Sequence, residues 1–134
     1  MTRNASAWIV LKFGGTSVSS VANWRNIAKV ASQRAAGGAR VLIVHSAVTG
    51  ITDRLERLLD SALVGAHEDE LRAIEDRHHK LAAELSISIG DVEKHLQELR
   101  QIAAGVALVG LVLHLLHRLG RRALQRAATS EHTS

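Results

Sequence analysis

The sequence contains no cysteine and no proline, and aromatic residues make up only 2% of it. Without cysteine the chain can form no disulfide, no thiolate metal site and no cysteine nucleophile. Because Trp8, Phe13 and Trp24 are the only aromatic side chains, the core must be aliphatic. A hydrophobic content of 46% still predicts a folded chain, and 134 residues suffice for one domain or for part of a larger one. The first residues contain no apolar stretch followed by a cleavage site, so we expect no secretory signal and a cytoplasmic location.

A short apolar run that ends in two glycines is the most informative stretch of the chain. The run from Trp8 to Phe13 is typical of a buried strand in a parallel sheet. Lys12 is near the carboxyl end of this strand, which is where open α/β sheets bind ligands. Gly14 and Gly15 would let the backbone approach a ligand and turn its N–H groups toward an anion. The stretch therefore predicts a phosphate-binding turn, although spacing alone equally allows a simple turn beside a solvated lysine.

A second apolar strand follows at the distance expected for a βαβ unit. Apolar residues at helical spacing after Ser20 predict a helix that ends at Gly37-Gly38, and residues 40–46 predict the next strand. Parallel neighbours bring their carboxyl ends together, so Ser46 and Thr52 are expected near Lys12. Turn or capping roles for these residues are the alternative, and we favour that alternative for Thr49 and Asp53.

Residues beyond Gly65 form two amphipathic patterns separated by a turn at residues 86–90, which predicts an antiparallel helical hairpin. His78 and His79 invite a metal-site hypothesis. Adjacent side chains on a helix point in different directions, however, so we expect a half-buried histidine beside a solvated one and no metal site.

Two motifs together resemble the N-terminal region of aspartate kinases, which are members of the amino-acid kinase family. They are Lys12-Phe13-Gly14-Gly15-Thr16-Ser17-Val18 and Ser46-Ala47-x-x-Gly50-x-Thr52-Asp53. The resemblance implies an α/β fold: the N-terminal βαβ part of a three-layer sandwich with parallel strands, followed by a helical hairpin and a C-terminal helix. The implied reaction transfers the γ-phosphoryl group of ATP to the side-chain carboxylate of L-aspartate. This is the first step toward lysine, threonine and methionine.

The resemblance also implies roles for particular residues. Lys12 would be catalytic, neutralising charge on the transferring phosphoryl group, and the following turn would bind ATP phosphate through Gly14, Gly15, Thr16 and Ser17. Ser46 and Thr52 would hold the aspartate substrate. ATP would arrive with Mg²⁺, for which no ligand residues can be identified in this chain.

The last segment departs from the family pattern. No acidic residue occurs between Glu98 and Glu131, so the family's Gly-Glu motif is absent. We therefore divide the chain into residues 1–110, a truncated N-terminal part of the catalytic domain, and residues 111–134, a divergent basic and apolar tail. One hypothesis is that the tail is translated out of frame. The alternatives are a membrane or surface anchor, a basic helix that binds nucleic acid, and an ordinary amphipathic helix packed on the sheet. Of these we disfavour a spanning helix, because the apolar run is shorter than the ~20 residues needed, and a nucleic-acid partner.

Two classes of function follow from the sequence. The first is an aspartate kinase, represented by an incomplete fragment with little or no activity alone. The second is a non-catalytic remnant or subunit that binds a phosphate-containing ligand or another protein. Expected partners are ATP, L-aspartate, and either a second copy of the chain or the missing kinase half.

Overall fold

The computed structural model describes residues 7–130, which form two parallel strands and four α-helices. Strand β1 is Trp8–Phe13 and strand β2 is Arg40–His45, with a 3₁₀ turn at Thr16–Val18 between them. The helices are α1 (Val21–Ala36), α2 (Ile51–Leu63), α3 (Glu68–Leu85) and α4 (Gly90–Ser130). The predicted order of elements and the α/β class are confirmed.

These elements divide into two compact units. The first contains residues 7–53 and 76–89, and the second contains residues 54–75 and 90–130. Helices α2 and α3 therefore each contribute residues to both units.

The first unit is built on the predicted βαβ arrangement. β1 and β2 pair in parallel from Trp8 opposite Arg40 to Phe13 opposite His45. The Ser20 hydroxyl caps α1 by accepting a hydrogen bond from the Asn23 N–H at 3.3 Å, as its position before the helix predicts. Gly38, with a φ of +86°, follows the end of α1 and lets the chain turn into β2.

The two-stranded sheet is open to solvent on one face. Trp8, Val10 and Lys12 alternate with the half-buried Ile9, Leu11 and Phe13, as the period of a strand requires. The Val10 side chain is 60% exposed and Leu42 is 50% exposed, although both are typical of a covered parallel sheet. The buried residues of this unit are aliphatic: Val18, Ile27, Ile51, Leu81 and Ala82.

The second unit has its own small aliphatic core, made of Leu58, Ala62, Leu71, Ile74, Leu96 and Ala103. Several apolar residues of α2 and α4, at helical spacing from buried ones, are exposed: Leu55, Leu59, Leu63 and Ile102. Each lies on the same face as a buried neighbour, so the apolar stripes are wider than the core that covers them within the described residues.

Acidic residues of α3 form ion pairs with arginines of α2 and α4. Glu70 accepts hydrogen bonds from Arg54 and Arg57, both at 3.0 Å. The guanidinium of Arg100 lies 2.8 Å from a carboxylate oxygen of Glu75 and 3.1 Å from one of Glu68. The Arg57 hydrogen bond, supported by Arg54, lowers the pKa of Glu70 despite some desolvation. Hydrogen bonding to Glu75, and then to Glu68, raises the pKa of Arg100.

Helix α4 is 41 residues long and continuous. The second helix of the predicted hairpin and the C-terminal helix are thus one element. Of the described helices it alone is long and apolar enough to cross a membrane by length and composition; its most apolar 18-residue window, within Gly90–Thr129, has a mean hydropathy of 1.9. Length and composition alone are weak indications of a membrane span.

The ion pairs of Glu70 predict acid-sensitive stability. A carboxyl whose pKa is lowered by folding contributes stability that is present above its unfolded pKa and lost as the pH falls through the folded pKa. The melting temperature should therefore decline below about pH 4.5, and Glu70→Gln should weaken this decline. Thermal unfolding followed by circular dichroism from about pH 6 to about pH 3 measures it. Glu56→Gln, at an exposed position of α2, is the control. An identical pH dependence in Glu70→Gln and the native chain would contradict the assignment.

Candidate functional site

The parallel register brings the carboxyl ends of β1 and β2 together. Lys12 lies opposite Val44, and Phe13 lies opposite His45. The ladder continues one step further, because the Ser46 N–H donates to the Phe13 carbonyl at 3.1 Å. The loop after β1 (residues 14–20, the first loop) and the loop after β2 (residues 46–50, the second loop) therefore start side by side, as predicted.

The first loop folds into a tight 3₁₀ turn. The N–H groups of Ser17, Val18 and Ser19 donate to the carbonyls three residues earlier, at 3.0 to 3.4 Å. Within the part of the chain that the structure describes, the N–H groups of Gly14, Gly15 and Thr16 have no such acceptor. These N–H groups at the start of the turn are therefore the ones left to face an anion.

Gly15 is where the two loops touch. A Cβ at this position would lie 2.9 Å from the Ala47 carbonyl oxygen and 3.5 Å from the Thr49 hydroxyl. Gly15 has an ordinary φ of −57°, so the close approach of the second loop, and not backbone conformation, is what requires glycine here. Gly14 differs, because a Cβ there would meet nothing within 4 Å.

The Ser19 hydroxyl fastens the two loops to each other. It accepts a hydrogen bond from the Thr49 N–H at 2.9 Å, lies 3.0 Å from the Thr49 hydroxyl, and also bonds to the Gly15 carbonyl. Gly50, with a φ of +81°, then lets the second loop turn into α2. One half-buried hydroxyl thus connects residues 30 positions apart.

Three further side chains donate hydrogen bonds to backbone carbonyls of the first loop. The Asn23 amide donates to the Thr16 carbonyl at 3.0 Å, and the Trp24 indole N–H donates to the Val18 carbonyl at 2.9 Å. The Arg77 guanidinium of α3 donates to the Ser19 carbonyl at 2.7 Å. The loop is therefore positioned by α1 and α3 together.

Sequence reasoning missed these positioning residues. Ser19 lies next to the helix cap Ser20, and nothing in its local sequence distinguishes it as a contact to the second loop. Thr49 lies in the predicted turn and also bonds to Ser19. Nothing local in the sequence could identify Arg77, because it lies 58 residues from its acceptor.

The predicted site residues lie in this region of the first unit. Lys12, Gly14, Thr16, Ser46 and Thr52 are exposed, whereas Gly15 and Ser17 are half-buried. Among the described residues no hydrogen bond joins the side chains of Lys12, Ser46 and Thr52, and Lys12 forms no ion pair. Their assignment to phosphate or substrate stays a prediction.

Groups of acidic and histidine side chains do not suggest a metal site. Across residues 7–130 no cluster of three or more His, Asp or Glu residues could hold an ion. His78 is half-buried and His79 exposed, as predicted for adjacent positions on a helix.

A cavity of about 630 Å³ lies elsewhere, within the second unit. Its lining is mainly apolar and contains none of the predicted site residues: Leu63, Val64, Gly65, Ala107, Leu108, Gly110, Leu111 and His114. No lysine or arginine lines it, and it is not the predicted site.

Two glycine substitutions should have opposite effects on stability. In Gly15→Ala the new methyl group would collide with the backbone of Ala47, which should lower the free energy of unfolding by about 1–3 kcal/mol. Gly14→Ala meets open space and restricts the unfolded chain, so it should be neutral or stabilising by up to about 1 kcal/mol. Urea unfolding of both variants measures the difference, and equal stabilities would contradict the loop contact.

The architecture and sequence of the chain are similar to those of aspartokinases. The structure of Escherichia coli aspartokinase III in complex with lysine and aspartate superposes with a TM-score of 0.62 and 27% sequence identity, covering 78% of this chain and 23% of that one. The aspartokinase of Chlamydia muridarum is 32% identical over 101 residues, covering 75% of this chain and 22% of its own length. Aspartokinase 2, chloroplastic, from Arabidopsis thaliana is 30% identical over 105 residues, covering 75% of this chain and 19% of its own length.

The chain spans about a fifth to a quarter of the length of the curated relatives it matches. The model of the amino acid kinase family matches residues 7–131, which includes all of α4. The division of the chain at residue 110 is not tested by this match and stays a prediction. With the parallel βαβ unit, the two-loop contact at Gly15 and a family match along nearly its whole length, the chain belongs to the amino acid kinase family.

Proposed function

We propose that this chain is the N-terminal part of an aspartate kinase, which transfers the γ-phosphoryl group of ATP to the side-chain carboxylate of L-aspartate in the cytoplasm. The observation that carries the proposal is the junction of the two loops at the carboxyl ends of β1 and β2. There β1 ends just after Lys12, and the loop that begins with Gly14-Gly15 starts beside the loop that begins with Ser46. We take L-aspartate as the phosphoryl acceptor from the comparison with aspartokinases, because the structure of the Escherichia coli protein is a complex with lysine and aspartate.

Each predicted residue has a chemical role in this reaction. The Lys12 ammonium offsets negative charge that shifts among the phosphoryl oxygens during transfer, and the N–H groups of Gly14, Gly15 and Thr16 donate to the same oxygens. Ser17 completes this phosphate anchor, while the Ser46 and Thr52 hydroxyls orient aspartate. A carboxylate is already an ionised nucleophile, so the reaction needs positioning and charge stabilisation but no general base.

Mg²⁺ would reach the site with the phosphates of ATP and neutralise part of their charge.

The open sheet favours a second candidate function, an interaction module without catalysis of its own. Trp8, Val10, Leu42 and Val44 expose apolar surface at positions that parallel sheets normally cover. A second copy of the chain or a separately encoded kinase half could cover this face. Pull-down of such a half by the chain, without phosphoryl transfer by the mixture, would favour this candidate over the kinase.

A chimera tests the catalytic proposal. Residues 7–110 of this chain would replace the matching segment of Escherichia coli aspartokinase III, and ATP-dependent phosphorylation of L-aspartate would be measured. We expect activity that Lys12→Ala reduces by about 10²- to 10³-fold, because one preorganised charge at the phosphoryl group is lost. Lys29→Ala, at an exposed position of α1, is the matched control and should retain activity.

Equal activity in the Lys12→Ala and Lys29→Ala chimeras would contradict the role of Lys12. An inactive chimera that is shown by circular dichroism and gel filtration to be folded would contradict the catalytic proposal itself.

The isolated chain should show little or no turnover with ATP and L-aspartate. Its sheet has two strands with one open face, and no further loops at the ends of other strands are available within residues 7–130 to enclose a nucleotide. A coupled assay for ADP release measures this. Turnover close to that of Escherichia coli aspartokinase III, abolished by Lys12→Ala, would overturn the expectation.

A further inference from the structure

The C-terminal part of α4 extends beyond the core of its own unit. Ala103 is the last buried residue of the helix, and Gly110 is the last half-buried one. A Cβ at Gly110 would overlap the Leu63 carbonyl oxygen, so the helix is packed closely against the end of α2 at this point. Every described side chain from residue 111 to residue 129 is exposed. We call residues 111–129 the terminal helix segment.

The terminal helix segment has two faces of different chemistry. At 3.6 residues per turn, residues 112, 116, 119, 123 and 127 share one side of the helix, and residues 114, 118, 121, 122 and 125 lie toward the other, with residue 126 at the boundary because it follows residue 119 by two turns. The first set is apolar: Val112, Leu116, Leu119, Ala123 and Ala127. The second set is basic or polar: His114, Arg118, Arg121, Arg122 and Gln125. Leu111 and Leu115 also lie on the second side and Arg126 lies at the boundary beside Leu119, so the two faces are fully distinct only between Leu116 and Gln125.

The charge of this segment has one sign. Four arginines occur between residues 118 and 126, and no acidic residue occurs between Glu98 and Glu131. A second copy of the segment would pair its apolar face but would bring arginines beside arginines, without acidic partners to relieve the repulsion. A nucleic acid would neutralise the arginines but would leave the leucines in water.

A membrane-spanning arrangement is also disfavoured. The run of α4 without Asp, Glu, Lys or Arg extends over residues 101–117, which is somewhat shorter than the ~20 residues needed to cross the hydrocarbon core. Within this run Ala103 is buried and Val106, Ala107 and Gly110 are half-buried in the second unit, so part of it is already covered by protein.

We propose that the terminal helix segment binds in the plane of an anionic lipid bilayer surface. Its apolar face enters the boundary between headgroups and acyl chains, while the arginines contact anionic headgroups. An anionic bilayer surface satisfies both faces of the helix at once, which neither a second copy nor a nucleic acid does. The property belongs to the segment and is independent of the phosphoryl-transfer proposal for the first unit.

Vesicle flotation of the full chain tests the inference. The vesicles are phosphatidylcholine alone or phosphatidylcholine mixed with phosphatidylglycerol. We expect binding to the mixed vesicles that weakens as salt is raised, and much weaker binding to the neutral ones. Replacing both Arg118 and Arg122 by Gln should weaken binding by about 30-fold, since each arginine near the surface adds about 1 kcal/mol. Arg25 and Arg34, both exposed on α1, replaced together by Gln are the charge-matched control and should bind as the native chain does.

A second pair of variants separates the apolar contribution. Leu116→Glu and Ile87→Glu make the same chemical change at side chains that are both 60% exposed, so neither should unfold the chain. We expect only Leu116→Glu to abolish flotation.

Four outcomes would overturn the inference. They are no flotation with anionic vesicles, equal flotation with neutral ones, unchanged binding of Leu116→Glu, and resistance of the bound chain to alkaline carbonate extraction, which would indicate a spanning helix. Dimerisation without vesicles that Leu116→Glu abolishes, together with absent flotation, would instead identify a second copy as the occupant.

Discussion

The parallel pairing of β1 with β2 is the constraint on which the candidate site depends. Because the register ends with Phe13 opposite His45, both loops leave the sheet at the same edge. They then approach so closely at Gly15 that a methyl group would meet the Ala47 backbone. Gly15, which the sequence predicts to contact phosphate, is therefore required by the packing between two loops.

Hydrogen bonds from distant elements fix the conformation of the two loops at this edge of the sheet. Ser19 joins the first loop to Thr49, and Arg77 holds the Ser19 carbonyl from a helix that lies far along the chain. Lys12 and the free N–H groups of the turn are thus presented on a supported backbone, which is the kind of preorganisation that phosphoryl transfer needs. The support comes from side chains that would not contact the substrates in the proposed reaction.

Both units expose apolar surface to solvent. In the first unit it covers one face of the sheet, and in the second it covers the terminal helix segment. The two surfaces have different chemical surroundings. The sheet face carries two separated cations, Lys12 and the Arg40 guanidinium over the Trp8 ring, whereas the helix carries four arginines within nine residues, so we assign the two surfaces to different partners: a protein for the sheet and an anionic bilayer for the helix.

Local patterns in the sequence were sufficient to predict the strands, helices α1 to α3, the parallel pairing and the family, because each depends on periodicity, caps or short motifs, but they divided α4 into two helices. The Lys12 to Val18 string, with Ser46 and Thr52 after the second strand, was enough to locate the candidate site, although not to test its chemistry. Tertiary structure alone decided three things: that Ser19 joins the two loops, that Arg77 supports them, and that Leu55, Leu59 and Ile102 stay exposed. The physical reason is distance along the chain. Periodicity shows which side of a helix is apolar, but only packing shows whether another element covers it.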